Sequence, residues 1–250
     1  MSFGLGHGRS IDTALGVVAV GEAELPPLPD SILEDPDAAR LDPRAWFEVP
    51  DRPLEIEIGS GKGTFLLRHA SAERETNFLG IEWAHEFFAY AADRMRRRRA
   101  SGGMTNVRML HADATAFLRW RVPAGLVRVI HLYFSDPWPK ARHHKKRVVQ
   151  DRFMADVWRV LEPGGELRVV TDHAELWAWD ERHFADWTAE AHGSAERAKG
   201  GYPSPPFERL AFASPVSAGD GELVGSNYER KWRAEGRAFY GATLRKLDGL

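Results

Sequence analysis

The stretch Leu54-Glu55-Ile56-Glu57-Ile58-Gly59-Ser60-Gly61-Lys62-Gly63 decides the fold. Its first half is an apolar-rich run of strand length, its second a glycine-rich turn. Thr64 to Arg74 follows, with Phe65, Leu66, Leu67 and Ala70 spaced for the buried face of a helix. The pattern then repeats. Asn77 to Glu82 reads as the second strand and Ala84 to Ala100 as its helix, Val107 to His111 as the third strand and Ala114 to Trp120 as a short helix. The apolar run Leu126 to Phe134, rich in β-branched and aromatic residues, is the fourth strand. Arg147 to Leu161 is the next helix, closed by Pro163-Gly164-Gly165, and Glu166 to Thr171 is the fifth strand. His173 to His192 forms an aromatic-rich helix, and two further strands are expected at Phe207 to Ala213 and around Asn227 to Arg233. Alternating strands and helices predict an α/β fold, Rossmann-like, with a mostly parallel twisted sheet, helices on both faces and an antiparallel C-terminal edge.

Composition narrows the functional classes. With 43% hydrophobic and 28% charged residues in a 250-residue chain, the fibrous and low-complexity classes are excluded. The net charge is −2, so any surface for nucleic acid must be local and offset elsewhere. Two basic clusters meet that condition, one at Arg94 and Arg96 to Arg99 and another from Lys140 to Arg147, while residues 22–51 are acid-rich. Cysteine is absent, which excludes disulfides, thiolate zinc sites and a cysteine nucleophile. The N-terminal apolar run Ala14 to Val20 is too short to span a bilayer and has no lysine- or arginine-rich flank, so a cytoplasmic protein with no membrane segment is expected. The glycine-rich residues Met1 to Arg9 suit a mobile arm. Residues 23–53 carry seven of the fifteen prolines and read as an irregular lead-in, with a short helix around Pro36 to Leu41. The division expected is 1–53 for arm and lead-in and 54–250 for the catalytic domain.

Polar signals stand at four strand ends, where open α/β sheets bind ligands. Gly59 and Gly61 let a ligand approach the backbone where a helix begins. A phosphate-binding P-loop would need Gly at position 56 and Ser or Thr at 63, where Ile56 and Gly63 stand. Thr64 occupies the place at which a dinucleotide fingerprint has a third small residue. Glu82 ends the second strand and suits vicinal ribose hydroxyls, with Trp83 beside it able to stack on a purine. Asp113, in His111-Ala112-Asp113-Ala114, is placed to accept from an adenine amino group or to cap the helix that follows. The fourth signal is Asp136, in Tyr133-Phe134-Ser135-Asp136-Pro137-Trp138-Pro139-Lys140. Two prolines stop the strand there and stiffen the loop that carries the carboxylate.

These residues resemble an S-adenosyl-L-methionine site. Asp136-Pro137-Trp138-Pro139-Lys140, His143, Lys145-Lys146-Arg147, Thr171-Asp172 and Ser226-Asn227-Tyr228-Glu229 together resemble the tRNA (guanine-N7-)-methyltransferase family over about residues 54–233. The resemblance implies cofactor contacts from Glu57, Gly59, Gly61, Glu82, Trp83, Asp113, Ala114 and Asp136, with Asp136 also the catalytic acid. It implies substrate contacts from Lys140, Asp172, Ser226, Asn227, Tyr228 and Glu229, and a target guanosine in the tRNA variable loop. Serine stands at 226 where the family has threonine, and at 135 where it typically has proline. Gly4 to Arg9 loosely resembles the family's basic N-terminal arm.

The chemistry suits these residues. Guanine N7 carries a free lone pair, so methylation from a sulfonium needs positioning more than a general base, and a carboxylate offsets the positive charge that grows on the purine. Asp136 or Asp172 can accept the guanine N1–H and N2 amine together, with Trp138 either a stacking surface or a packed indole. Arg142, Lys145, Lys146 and Arg147 are expected to hold flanking phosphates. Arg94 to Arg99 reads more simply as a solvated helix face. His143 and His144 have no ligand partner at metal spacing, so no metal is expected. A monomer and a homodimer are both compatible. A nicotinamide oxidoreductase, a non-catalytic RNA-binding relative, and a methyltransferase of another RNA or a small molecule stand as the alternatives.

Overall fold

The computed structural model describes residues 10–189 and 201–247. One eight-stranded sheet organises them. Its strands are β1 (Ala19–Val20), β2 (Leu54–Ile58), β3 (Asn77–Glu82), β4 (Val107–His111), β5 (Val127–Tyr133), β6 (Leu161–Thr171), β7 (Phe207–Ala211) and β8 (Tyr240–Lys246), in the order β1-β4-β3-β2-β5-β6-β8-β7. The first six strands in that order run parallel, and β8 is antiparallel to both β6 and β7. The helices are α1 (Thr64–Ala72), α2 (His85–Ala100), α3 (Ala114–Trp120), α4 (Asp151–Val160), α5 (Ala174–Thr188) and α6 (Asn227–Ala234).

Strand alternation assigns the two faces. Leu54, Ile56 and Ile58 of β2 join Ile130, Leu132, Leu167 and Val169 in the main core, covered by Phe117 of α3, Phe153 and Val157 of α4, and Phe184 and Trp187 of α5. Leu66 and Ala70 of α1 and Phe88, Ala91, Ala92 and Met95 of α2 cover the other face around Phe78 and Met109. On that second face β2 presents Glu55 and Glu57, both buried. Two buried carboxylates in one five-residue strand are costly unless each has a partner or a task.

The parallel α/β sheet and its antiparallel edge agree with the sequence reading, with four local corrections. Asn227 to Arg233 is helix, because the Ser226 hydroxyl caps it by accepting from the Glu229 N–H at 3.0 Å. The last strand is instead β8, inserted between β6 and β7. The helix expected from Arg147 begins at Asp151, since Ala141–Lys146 forms a 3-10 turn and Arg147 is extended. Leu161 already pairs with Val127, residues 162–165 bulge outward, and Glu166 resumes the ladder opposite Val129. At Gly165 a Cβ would come within 2.9 Å of the Glu162 carbonyl, so the bulge requires glycine there. The aromatic helix ends at Thr188, and its expected end at His192 lies outside the described residues, as does the N-terminal arm.

The lead-in packs on the sheet. Ala19 and Val20 pair with Met109 and Leu110, and Phe47 enters the main core. Its helical content is three 3-10 turns, Glu22–Glu24, Asp30–Leu33 and Pro43–Trp46, and none falls on the expected Pro36 to Leu41.

Candidate active site

The strand order reverses between β2 and β5, which places the crevice of an open α/β sheet at the carboxyl ends of those two strands. Glu57 sits there, opposite His131 of β5 and Gly80 of β3. Its carboxyl is buried, and Oε2 has no hydrogen-bond partner in the protein. Burial, reinforced by the Glu82 charge, pushes its pKa up to about 8. A buried acid with one oxygen unpartnered at a crevice is suited to a cationic or hydrogen-bonding ligand group.

The turn after β2 is shaped for close approach. Gly59 and Gly61 hold φ at +73° and +51°, and a Cβ on either would meet no protein atom within 4 Å. The turn is therefore open on that side, and its left-handed backbone favours glycine. Glu82 at the end of β3 fastens it: Gly61 N–H donates to Oε2 and Ala84 N–H to Oε1, both at 2.8 Å. Each carboxylate oxygen keeps further acceptor capacity for ribose hydroxyls. Trp83 beside it is 66% exposed, an indole with one face to spare.

Asp113 caps α3, accepting from Thr115 N–H, Ala116 N–H and the Thr115 hydroxyl, all on Oδ1. The capping alternative is thus realised, and it leaves Oδ2 for a ligand. Ala114 is the first residue of that helix.

The loop after β5 is strained on both sides of Asp136. Phe134 and Trp138 adopt φ values of 56° and 43°, a region that costs a bulky residue on the order of 1–3 kcal/mol. Packing holds them there. The Phe134 ring lies 4.8 Å from Tyr228 and 5.9 Å from Phe239, and Trp138 meets His143 edge-on while Lys146 sits 4.6 Å over its ring. Between them Asp136 is exposed. Lys140, Arg142 and Lys145 are exposed as well. Arg147 departs from the phosphate-binding expectation: it is buried, bonded to the Pro137 carbonyl at 2.9 Å and the Glu175 carboxylate at 2.8 Å, and stacked on Trp179. A guanidinium so enclosed braces the loop and does not reach solvent.

Asp172, after β6, is largely enclosed. Arg237 pairs with it at 2.7 Å, and the Tyr228 hydroxyl lies 3.4 Å away. Arg237 is a neighbour that the sequence reading missed; no local motif marks it, because the pair spans 65 residues. Glu229 is also internal. It is fully buried, accepts from the Leu223, Val224 and Gly225 N–H groups, and pairs with Arg233 at 2.7 Å. Burial works to raise its pKa, but those four donors outweigh it and hold the group below the usual carboxylate range. Ser226 and Glu229 thus build the turn that presents exposed Tyr228. Asn227 opens α6, and its side chain lies outside the described residues.

Among the described residues one group of three offers metal-ligand atoms within 4.8 Å of one another, the buried Glu55, His69 and His131. Sequence spacing gave no hint of it. Its bonds are complete without a cation. Arg128 donates to Glu55 Oε1 at 2.7 Å, His131 Nε2 to Oε2 at 2.8 Å, and the Tyr133 hydroxyl meets His131 Nδ1 at 2.7 Å. Burial holds His131 neutral while hydrogen bonds from His131, His69 and Arg128 outweigh burial and keep Glu55 ionised, so Arg128 is the counter-charge and the network braces β2 against β5.

Comparison with known proteins bears on this arrangement. A family model described as "Putative methyltransferase" matches residues 51–242. The tRNA (guanine-N(7)-)-methyltransferase of Corynebacterium diphtheriae is 36% identical over 147 residues, covering 59% of this chain and 55% of that protein. That of Nitrobacter hamburgensis is 38% identical over 168 residues, 65% of this chain and 64% of its own length. The enzyme of the same name from Streptococcus thermophilus is 30% identical over 214 residues, 85% of this chain and 89% of that protein. The matches thus span little more than half to nearly all of these relatives' lengths. Among solved structures, the 16S rRNA methyltransferase KamB superposes with a TM-score of 0.52 at 14% identity, covering 90% of this chain and 96% of that one, a likeness of fold. The chain belongs to the tRNA (guanine-N(7)-)-methyltransferase family.

Proposed function

We propose, from that membership and from the geometry at the β2/β5 crevice, that the protein methylates N7 of a guanine in tRNA with S-adenosyl-L-methionine as methyl donor. The observation that carries the reading is the pairing of two acids in opposite states: Glu57 buried with an orphaned oxygen, and Asp136 exposed on a strained loop. The residues fit the cofactor: the open Gly59–Gly61 turn takes a close-lying chain, Glu82 the ribose, Trp83 and Asp113 the adenine, and Glu57 a cationic group. When bound, S-adenosyl-L-methionine supplies an electrophilic methyl on a sulfonium.

The protein's own residues position the base. N7 attacks with its lone pair, so no proton is removed from it and the charge appears on the purine. Asp136 meets the guanine N1–H and N2 amine and offsets that charge. We assign this task to Asp136 over Asp172, because Asp172 is already paired with Arg237. Asp172 and Tyr228 then form a wall of the base site. Lys140, Arg142, Lys145 and Lys146 hold flanking phosphates. Residues 54–250 act as one catalytic domain flanked by 1–53, in the cytoplasm; among the described residues no helix is long and apolar enough to cross a membrane.

The experiment is mass-spectrometric mapping of unmodified tRNA after incubation with enzyme and labelled cofactor. The expected product is N7-methylguanosine, formed at least 100-fold more slowly by Asp136→Ala in single turnover. Wild-type rate in that variant, or methyl groups on another atom, would overturn the reading.

A further inference from the structure

The arginines of α2 are not equivalent. Arg96 and Arg97 pair with Asp93, Arg96 also with Asp12, and Arg99 with Glu48. Arg94 and Arg98 face elsewhere. Arg94 donates to the Lys62 carbonyl and lies 3.3 Å from the Thr64 hydroxyl, and no carboxylate pairs with it or with Arg98 among the described residues. Both line two adjoining cavities of about 400 and 350 Å³ between α1 and α2. Leu67 lines both, Arg97 and Ser101 complete the wall of one, and Arg68, Ser71 and Arg230 contribute to the other, with no acidic side chain lining either. Glu222 neutralises part of this charge by pairing with Arg68 and Arg230. Burial holds the Arg94 pKa below its ordinary value, with Tyr90 opposing the shift and Arg97 and Arg98 adding to it. A merely solvated helix face is convex and spreads its charge; this surface is concave and concentrates it.

Its location connects it to the site. The groove begins at Thr64, directly after the glycine turn, and Arg230 belongs to the helix that presents Tyr228 to Asp172. It lies on the α1/α2 face of the sheet. The Lys140–Lys146 run lies on the other, where His144 stands 3.3 Å from Glu175 at the start of α5.

We propose that the α1/α2 groove is a second phosphate-binding surface, which grips the substrate RNA from the face of the sheet opposite to the Lys140–Lys146 run. This rests on the reading of RNA as substrate. A strand whose base enters the β2/β5 crevice passes over the carboxyl end of the sheet, so its backbone meets one cationic surface on each side. Sequence-independent grip of this kind fixes register while the crevice reads the base.

The test uses Arg98→Glu and, separately, Ser71→Glu, which adds charge to the groove without removing an arginine. Each is assayed for binding of bulk tRNA across a salt series, for methylation of tRNA, and for cofactor affinity. Tenfold or greater weakening of tRNA binding at about 0.1 M salt, with the log–log salt slope reduced by about 1, is expected of Arg98→Glu. Ser71→Glu should weaken binding in the same direction, with cofactor affinity unchanged in both. Wild-type affinity and slope in both variants would overturn the groove while leaving the methyltransferase reading intact. Groove-dependent RNA binding without N7 methylation would support the groove and overturn the reading of the reaction.

Discussion

Glu57 shows what a single side chain contributes when its surroundings withhold a partner. Its folded-state pKa of about 8 lies above the ordinary 4.5, so between those values the folded chain keeps a proton that the unfolded chain loses. Stability therefore falls as pH rises through that window and levels off above it. Glu57→Gln removes the titration, and urea unfolding at pH 5, 7 and 9 should show the variant gaining on wild type as pH rises. Equal slopes would contradict the shift. A cationic ligand group beside Glu57 favours its ionised form, so cofactor binding at pH 7 should release up to about one proton, read from calorimetry in buffers of different ionisation enthalpy. The position of Glu57 at the carboxyl end of its strand was legible from its place before the glycines. Its protonation was not, because the burial that raises its pKa exists only once β3 and β5 flank β2 and bring Glu82 near.

At the scale of elements, the turn before α6 is held by one carboxylate. Glu229 satisfies three backbone N–H groups of residues 223–225, and leaving buried donors unpaired costs roughly 1–3 kcal/mol each. Glu229→Ala should lower the unfolding free energy by about 3 kcal/mol or more, whereas Lys231→Ala on the exposed face should change it by less than about 0.5 kcal/mol. Chemical denaturation decides; comparable values for the two would remove Glu229 from this role. Reading the same segment as a strand failed for a physical reason. Tyr228, Trp232 and the charged residues between them fit either period, and the deciding facts are the Ser226 cap and the adjoining turn at 223–225 that Glu229 holds.

For the whole molecule, the proposed grip on RNA requires a near-neutral chain to concentrate its positive surface, and it draws on both faces of the sheet. Lys145→Glu combined with Lys146→Glu should weaken tRNA binding and flatten its salt dependence by about 1–2 in slope, while S-adenosyl-L-methionine affinity stays constant. An unchanged slope would mean that the 140–146 run is only solvated. Arg147 is excluded from this set by its burial against Trp179. Spacing placed it with the phosphate contacts; packing withdrew it. Arg94 and Arg98 went the other way, since a run of arginines reads as one face and only the partners Asp12, Glu48 and Asp93 show which members are spent.

The sequence by itself determined the parallel strands, the glycine turn after Glu57, and the strand-end positions of Glu82, Asp113 and Asp136. These follow from short-range periodicity and from the backbone demands of Gly and Pro, which neighbouring residues impose on one another. The tertiary structure decided the insertion of β8, the joining of Ala19–Val20 to the sheet edge, the enclosure of Asp172 by Arg237, and the Glu55–His131 network. Each depends on pairs far apart in the chain, whose contact free energy exists only once the sheet has brought them together.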